Sequence, residues 1–158
     1  MDHIGLDISR VSTTPEFKLG TVISNLGTDG PYKEYKYVKY EAGAAAVAGV
    51  AGEVAYYYGA SGAAGGYANN IVTSDLSDSN EIGAGVLVND MADGEYGWVQ
   101  ITGPATLSIA LAAETDGAAL TPTGGADGTL DVSAAVTDHV CAITDDASAK
   151  SIVCMFPK

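Results

Sequence analysis

Few side chains in this 158-residue sequence are suited to chemistry, and their spacing decides which chemistry they could do. Cys141 and Cys154 fall in the last two strand-like segments, Val136 to Thr144 and Ala149 to Phe156, on either side of Asp145-Asp146. A hairpin closing around 146–149 sets Cys141 opposite Cys154, Ile143 opposite Ile152 and His139 opposite Phe156. Thiols so placed are either two buried, small apolar residues, which a reducing cytoplasm favours, or a disulfide. His139 on the same face brings the ligand count to three without a CxxC spacing, short of a zinc pattern.

Acids at Asp75/Asp78/Glu81, Asp90/Asp93/Glu95 and Asp127/Asp131 offer hard oxygen donors for calcium, but none fits an Asp-x-Asp-x-Asp-Gly loop. Gly124-Gly125-Ala126-Asp127-Gly128 matches a glycine-aspartate calcium repeat once and out of register, so solvated turn carboxylates are expected instead. Gly59-Ala60-Ser61-Gly62-Ala63 breaks a nucleophile elbow at its last position, and a Walker-type Gly-x-x-x-x-Gly-Lys does not occur. A single arginine, Arg10, leaves anionic substrates few clamps. The expectation is a protein that is not an enzyme and uses no metal or cofactor, with a paired-carboxylate, glycosidase-like site the least implausible enzymatic alternative.

Charge excludes further classes. Seven Lys and Arg face 20 Asp and Glu for a net charge of −13, and residues 1–40 balance at five of each. The whole excess therefore lies in 41–158, and no Lys or Arg occurs between Lys39 and Lys150. Nucleic acid and anionic membranes need several cationic contacts, so neither is an expected partner. Met1 to Asp7 lacks the basic opening and apolar run of a secretory peptide, and Ala42 to Ala64 is too rich in Ala and Gly, with Glu53 inside it, to span a bilayer. Synthesis in a cytoplasm as a soluble chain is expected.

The elements that must position these residues read as strands. Ala and Gly fill 45 of 158 positions, so Val, Ile, Leu and nine Tyr must build the core, and dense Gly/Asp turns suit pleated strands. Strands are predicted at Leu19 to Ser24, Tyr32 to Tyr40, Glu53 to Tyr58 and Asn70 to Ser74, with a turn at Gly27 to Pro31 and a mobile loop over 59–68. Gly94 to Thr102 and Ala105 to Leu111 are predicted to form a hairpin about Gly103-Pro104, with Trp98, Leu107 and Ile109 in the core. About ten short strands predict an all-β fold, a compact antiparallel β-sandwich or barrel over 19–158, with an irregular N-terminal arm (1–18) and a Gly/Ala-rich loop.

Tyr32 to Tyr40 concentrates three of the seven basic residues and four of the nine Tyr in nine positions. Tyr with a few cations is a common interface composition. A half-exposed edge strand whose lysines block edge pairing fits the same residues equally well.

In chain order, Leu19-Gly20-Thr21-Val22, Asp29-Gly30, Tyr35-Lys36-Tyr37-Val38-Lys39, Ala48 to Val54, Gly85 to Val88 and Asp93 to Ala105 resemble segments of tailed-bacteriophage capsid decoration, or cement, proteins. Gly94-Glu95-Tyr96-Gly97-Trp98-Val99-Gln100 is the most specific part, and the long Ala/Gly stretch at 42–66 and the paired late Cys depart from the pattern. The resemblance implies a β-rich, non-enzymatic virion protein on the outer surface of the phage head, commonly a homotrimer, with the major capsid protein as partner. An acidic chain suits that outer surface, away from packaged DNA. The expected shell-contacting residues are Arg10 and Phe17 in the arm and Lys33, Tyr35, Lys36, Tyr37 and Lys39 in the Tyr/Lys strand. A head fibre or adhesin-like module binding host surface glycans is the alternative.

Overall fold

The computed structural model describes residues 6–24, 30–59, 66–113 and 115–158. Among the described residues there are ten strands: β1 (Val22–Ser24), β2 (Glu34–Tyr40), β3 (Val54–Tyr58), β4 (Ile71–Thr73), β5 (Ser79–Leu87), β6 (Tyr96–Thr106), β7 (Ala119–Thr121), β8 (Asp131–Val132), β9 (Ala142–Asp146) and β10 (Ser151–Met155). Among the same residues one short α-helix, α1 (Gly66–Asn69), precedes β4, and a 3-10 turn, Leu76–Asp78, precedes β5. The predicted turn at 27–31 and loop at 59–68 fall largely outside the described residues, apart from α1 at the end of the second.

The strands form one sheet in the order β1-β2-β4-β3-β5-β6-β10-β9-β7-β8, and β2 also pairs with β6. That extra pairing closes β2, β4, β3, β5 and β6 into a ring, the barrel form of the predicted all-β fold, while β10-β9-β7-β8 continue from the second half of β6. Closure removes most of the unpaired edges an open sheet would carry. All pairings are antiparallel except β2 with β4, which the long connection through β3 allows to run parallel.

Small residues let the ring close tightly. Gly85 has φ +151°, and a Cβ there would lie 2.8 Å from both the Gln100 carbonyl oxygen and Val99 Cβ on β6. Inside the ring, Val38, Tyr40, Val54, Tyr56, Val72, Val99 and Ile101 belong to one buried cluster. Leu120, Leu130, Ile152 and Phe156 extend that cluster beneath the second half of the sheet.

A turn was expected at Gly103-Pro104, but β6 runs straight through it as one strand of eleven residues. Gly103 does take a positive φ of +90°, and a Cβ on it would collide with the Tyr32 carbonyl oxygen. The result is a kink at which β6 changes partner, from β2 along 96–102 to β10 along 102–106. Gln100 stitches the kink: its Nε2 lies 3.2, 3.2 and 2.9 Å from the carbonyl oxygens of Thr102, Gly103 and Pro104. The alternation through Ala105 to Leu111 therefore fails partway. Trp98, Leu107 and Leu111 are buried, whereas Ile109 lies at the surface.

The final hairpin forms one residue out of the expected register. Cys154 pairs with Ala142, Val153 with Ile143 and Ile152 with Thr144, because the turn at 147–150 passes through Lys150 at φ +54° and a bulge follows at Ser151. Cys141 stays just outside β9, with its carbonyl accepting the Met155 N–H at 2.9 Å. Both thiols are free and buried, and desolvation pushes each up to about 12. Residues 136–140 are irregular rather than strand, which leaves His139 exposed instead of facing Phe156.

Candidate functional site

The Tyr/Lys strand is an interior strand. One edge of β2 bonds to β1 and then β4, and the other bonds to β6. Tyr35, Lys36 and Tyr37 are buried within the chain, so they present no contact surface of their own, and β2 is not a half-exposed edge either. The reason is that Tyr offers a large apolar ring with a polar tip, and here that ring is used as core. Tyr37 packs with Trp98 at 5.0 Å between ring centroids, and Tyr35 joins the same cluster.

The N-terminal arm roofs this second core. Phe17 meets Tyr37 edge-on, with centroids 5.3 Å apart and planes at 82°, and lies 5.5 Å from Trp98. Leu6, Ile8, Leu19 and Ile23 pack beside it. The Glu16 N–H donates to the Tyr37 hydroxyl at 3.1 Å, and Asn89 Nδ2 donates to the Ile8 carbonyl at 3.1 Å. Of the other expected contact residues, Arg10 is exposed and paired with Glu16 at 2.7 Å. Lys39 lies 3.5 Å from Glu41, and Lys33 is half-buried beside Tyr35 and Gln100.

Lys36 takes the place in which a functional group is most visible. It shares a face of β2 with Val38 and Tyr40, and its Nζ donates to Tyr57 Oη at 2.7 Å and to the Pro157 carbonyl at 2.8 Å. Burial pulls its ammonium down to about 8, and among the described residues no carboxylate offsets the desolvation. Lys36 lies in a cleft of about 440 Å³ whose other walls are Lys18 to Thr21 before β1, Tyr67 and Ala68 of α1, Asn70, and Lys158. Lys158 donates to Glu34 at 2.8 Å, which raises the lysine and, with Thr102 and Tyr32, lowers the carboxyl.

Sequence reasoning selected Lys36 but missed Lys18, Tyr67 and Lys158 as its neighbours. The positions are as far apart as 18 and 158, and only strand pairing brings them together. A second missed feature lies on the β9–β10 hairpin, where Ile143, Val153 and Met155 stand on the outer face, each more than a third exposed. Their alternation with buried Ile152, Cys154 and Phe156 was legible, but the face left open was not.

The acids considered for calcium are engaged in holding loops. Backbone N–H groups of Ala42, Ala44 and Ala51 donate to Asp93, Asp78 and Asp90 at 2.9, 2.6 and 2.8 Å, and that of Val50 to Glu53 at 3.1 Å. Asp93, Asp78 and Asp90 clip the Ala/Gly-rich segment 42–52 to distant parts of the fold, and Glu53 closes a turn at its end. Asp127 accepts the Leu76 N–H at 2.9 Å and Glu95 the Ala92 N–H at 2.7 Å. The N–H groups of Ala135 and Ala134, with the Ser133 hydroxyl, hold Asp138 below the ordinary carboxylate range. Among the described residues no three His, Cys, Asp or Glu side chains are grouped to hold a metal ion, and no helix is long and apolar enough to cross a membrane. No protein-family model, curated protein or solved structure matches this chain.

Proposed function

We propose that this chain is a non-enzymatic structural protein that binds the outer surface of an assembled phage head and stabilises contacts between capsid subunits, acting as a homotrimer. The observation that carries the proposal is the open apolar row of Ile143, Val153 and Met155 on the β9–β10 hairpin of an otherwise strongly acidic molecule. Apolar side chains gathered on one rigid face mark a surface for another macromolecule more often than scattered ones do. The clipped loops and closed barrel support the same role, because a clamp transmits load only if it does not itself deform.

Two further features support it. The net charge of −13 keeps free copies apart and disfavours the DNA side of a shell. Gly94 to Gln100, the most specific part of the resemblance to decoration proteins, leads into and builds the first half of β6, the strand on which both halves of the sheet depend. The proposed contact surface is therefore the β9–β10 face rather than the buried Tyr35, Lys36 and Tyr37. Co-sedimentation with undecorated expanded heads tests this: saturable binding, weakened by Val153→Asp, is expected. Binding to a glycan array with none to bare heads would replace the proposal with the adhesin alternative.

A further inference from the structure

The cleft around Lys36 gathers three of the seven basic residues, Lys18, Lys36 and Lys158, from three distant parts of a chain that carries 20 acids. Elsewhere the bases are mostly spoken for: Arg10 pairs with Glu16, Lys39 with Glu41, and Lys150 donates to the Ser108 carbonyl at 3.0 Å. Within the cleft, Lys158 is balanced by Glu34. Among the described residues, neither Lys18 nor Lys36 has a carboxylate within ion-pair distance. Among the described residues, two positive charges are thus left over at one place.

For Lys36 this matters energetically. Lys36 is only 2% exposed, and its ammonium meets only neutral partners, two oxygens and the Tyr57 ring, which replace its lost hydration only in part. Its two acceptors, Tyr57 Oη and the Pro157 carbonyl, also leave one of its three N–H bonds without a partner among the described residues. A buried polar group in that state at the floor of an open cleft fits a ligand that brings the missing charge.

We propose that this cleft binds a singly charged carboxylate, held between Lys18 and Lys36. A single charge is preferred because the molecule's overall −13 repels multiply charged anions, while two uncompensated ammonium groups suffice for one carboxylate. The body of the ligand lies along Tyr67, which is half-exposed at the rim and is held edge-on by Tyr57 with centroids 5.0 Å apart. Asn70 contributes a side-chain amide to the wall, suited to a hydroxyl or amide on the ligand. A volume of about 440 Å³ takes a molecule the size of a sugar acid or one acidic amino-acid residue. This site is independent of head binding, and either proposal can fail without the other.

The test is an NMR titration of the ¹⁵N-labelled full chain at constant ionic strength. The probes are glucuronate, glucose, N-acetylglutamate α-amide and inorganic phosphate. Saturable shifts at Gly20, Thr21 and Asn70 are expected with glucuronate or the blocked glutamate, and the tighter of the two identifies the carrier of the carboxylate. Glucose is expected to leave these signals unmoved. Lys18→Gln, an exposed change that leaves the fold intact, is expected to weaken binding about ten-fold. Lys36→Met, verified as folded by its amide spectrum, is expected to weaken it at least as much. Absence of saturable shifts with both carboxylates, or affinity indifferent to Lys18→Gln, overturns the site. Tighter binding of phosphate than of either carboxylate overturns the single-charge assignment.

Discussion

Lys36 Nζ and Tyr57 Oη are 2.7 Å apart inside the protein, joining β2 to β3 by a hydrogen bond that uses a charged donor and a neutral acceptor. The same ammonium lies 5.4 Å from the Tyr57 ring centroid. Because desolvation lowers Lys36 to about 8 from an ordinary value of 10.5, the unfolded chain binds the proton more tightly than the folded one does. Its contribution to stability therefore rises with pH between about 8 and 10.5.

That sign gives a prediction. Compared with Lys36→Met, the wild type is expected to gain relative stability in urea melts as pH rises from 8 to 10. The comparison with the variant is needed because the buried thiols of Cys141 and Cys154, raised to about 12, act in the opposite direction above pH 9 in both proteins. A stability difference that stays flat across this window contradicts a buried, desolvated Lys36.

Phe17 ties the arm to the second core through Tyr37 and Trp98. Phe17→Ala is expected to cost about 2 kcal/mol, less than a fully buried Phe because the residue is only half-buried. Trp98 is the only tryptophan, so its emission reports the loss directly by shifting to the red as water reaches the ring. Unchanged emission and stability contradict the packing of the arm over β2 and β6.

Gly103 permits the kink in β6. Gly103→Ala places a methyl group against the Tyr32 carbonyl at a φ of +90°, and a loss of at least about 2 kcal/mol is expected. Gly94, also at positive φ but with open space around it, is the control, where alanine is expected to cost about 1 kcal/mol. Equal losses at both positions in thermal melts contradict the close approach at Gly103.

Much of the fold was legible from local pattern. The strands at Tyr32 to Tyr40 and Glu53 to Tyr58 appeared close to their observed bounds because β-branched and aromatic residues cluster there. What local pattern does not encode is which strands become neighbours. Gly103-Pro104 has the composition of a turn, but long-range pairing with β10 on one side of the kink and β2 on the other keeps the chain extended. The same limit hid the burial of Tyr35 and Tyr37, since an alternating strand with both faces covered looks like one with a face exposed. Ser79 and Asn80 are polar and lack a strand-like composition, yet they begin β5 because Ser79 pairs with Tyr58.

The acid clips carry a prediction about calcium. With Asp78, Asp90 and Asp93 already accepting backbone N–H groups, millimolar calcium is expected to leave the melting temperature unchanged. Asp93→Ala is expected to cost about 1 kcal/mol and to speed amide exchange at Ala42. A saturable rise in melting temperature with calcium contradicts the assignment of these acids to loop fixation.

Head stabilisation is tested most directly by the temperature at which undecorated expanded heads rupture, measured with increasing amounts of this protein. A rise that saturates at a fixed number of copies per head, and that is lost in the Ile143→Asp/Val153→Asp double variant while its fold is retained, is predicted. Heads that rupture at the same temperature with a large excess of folded protein would contradict the proposed function.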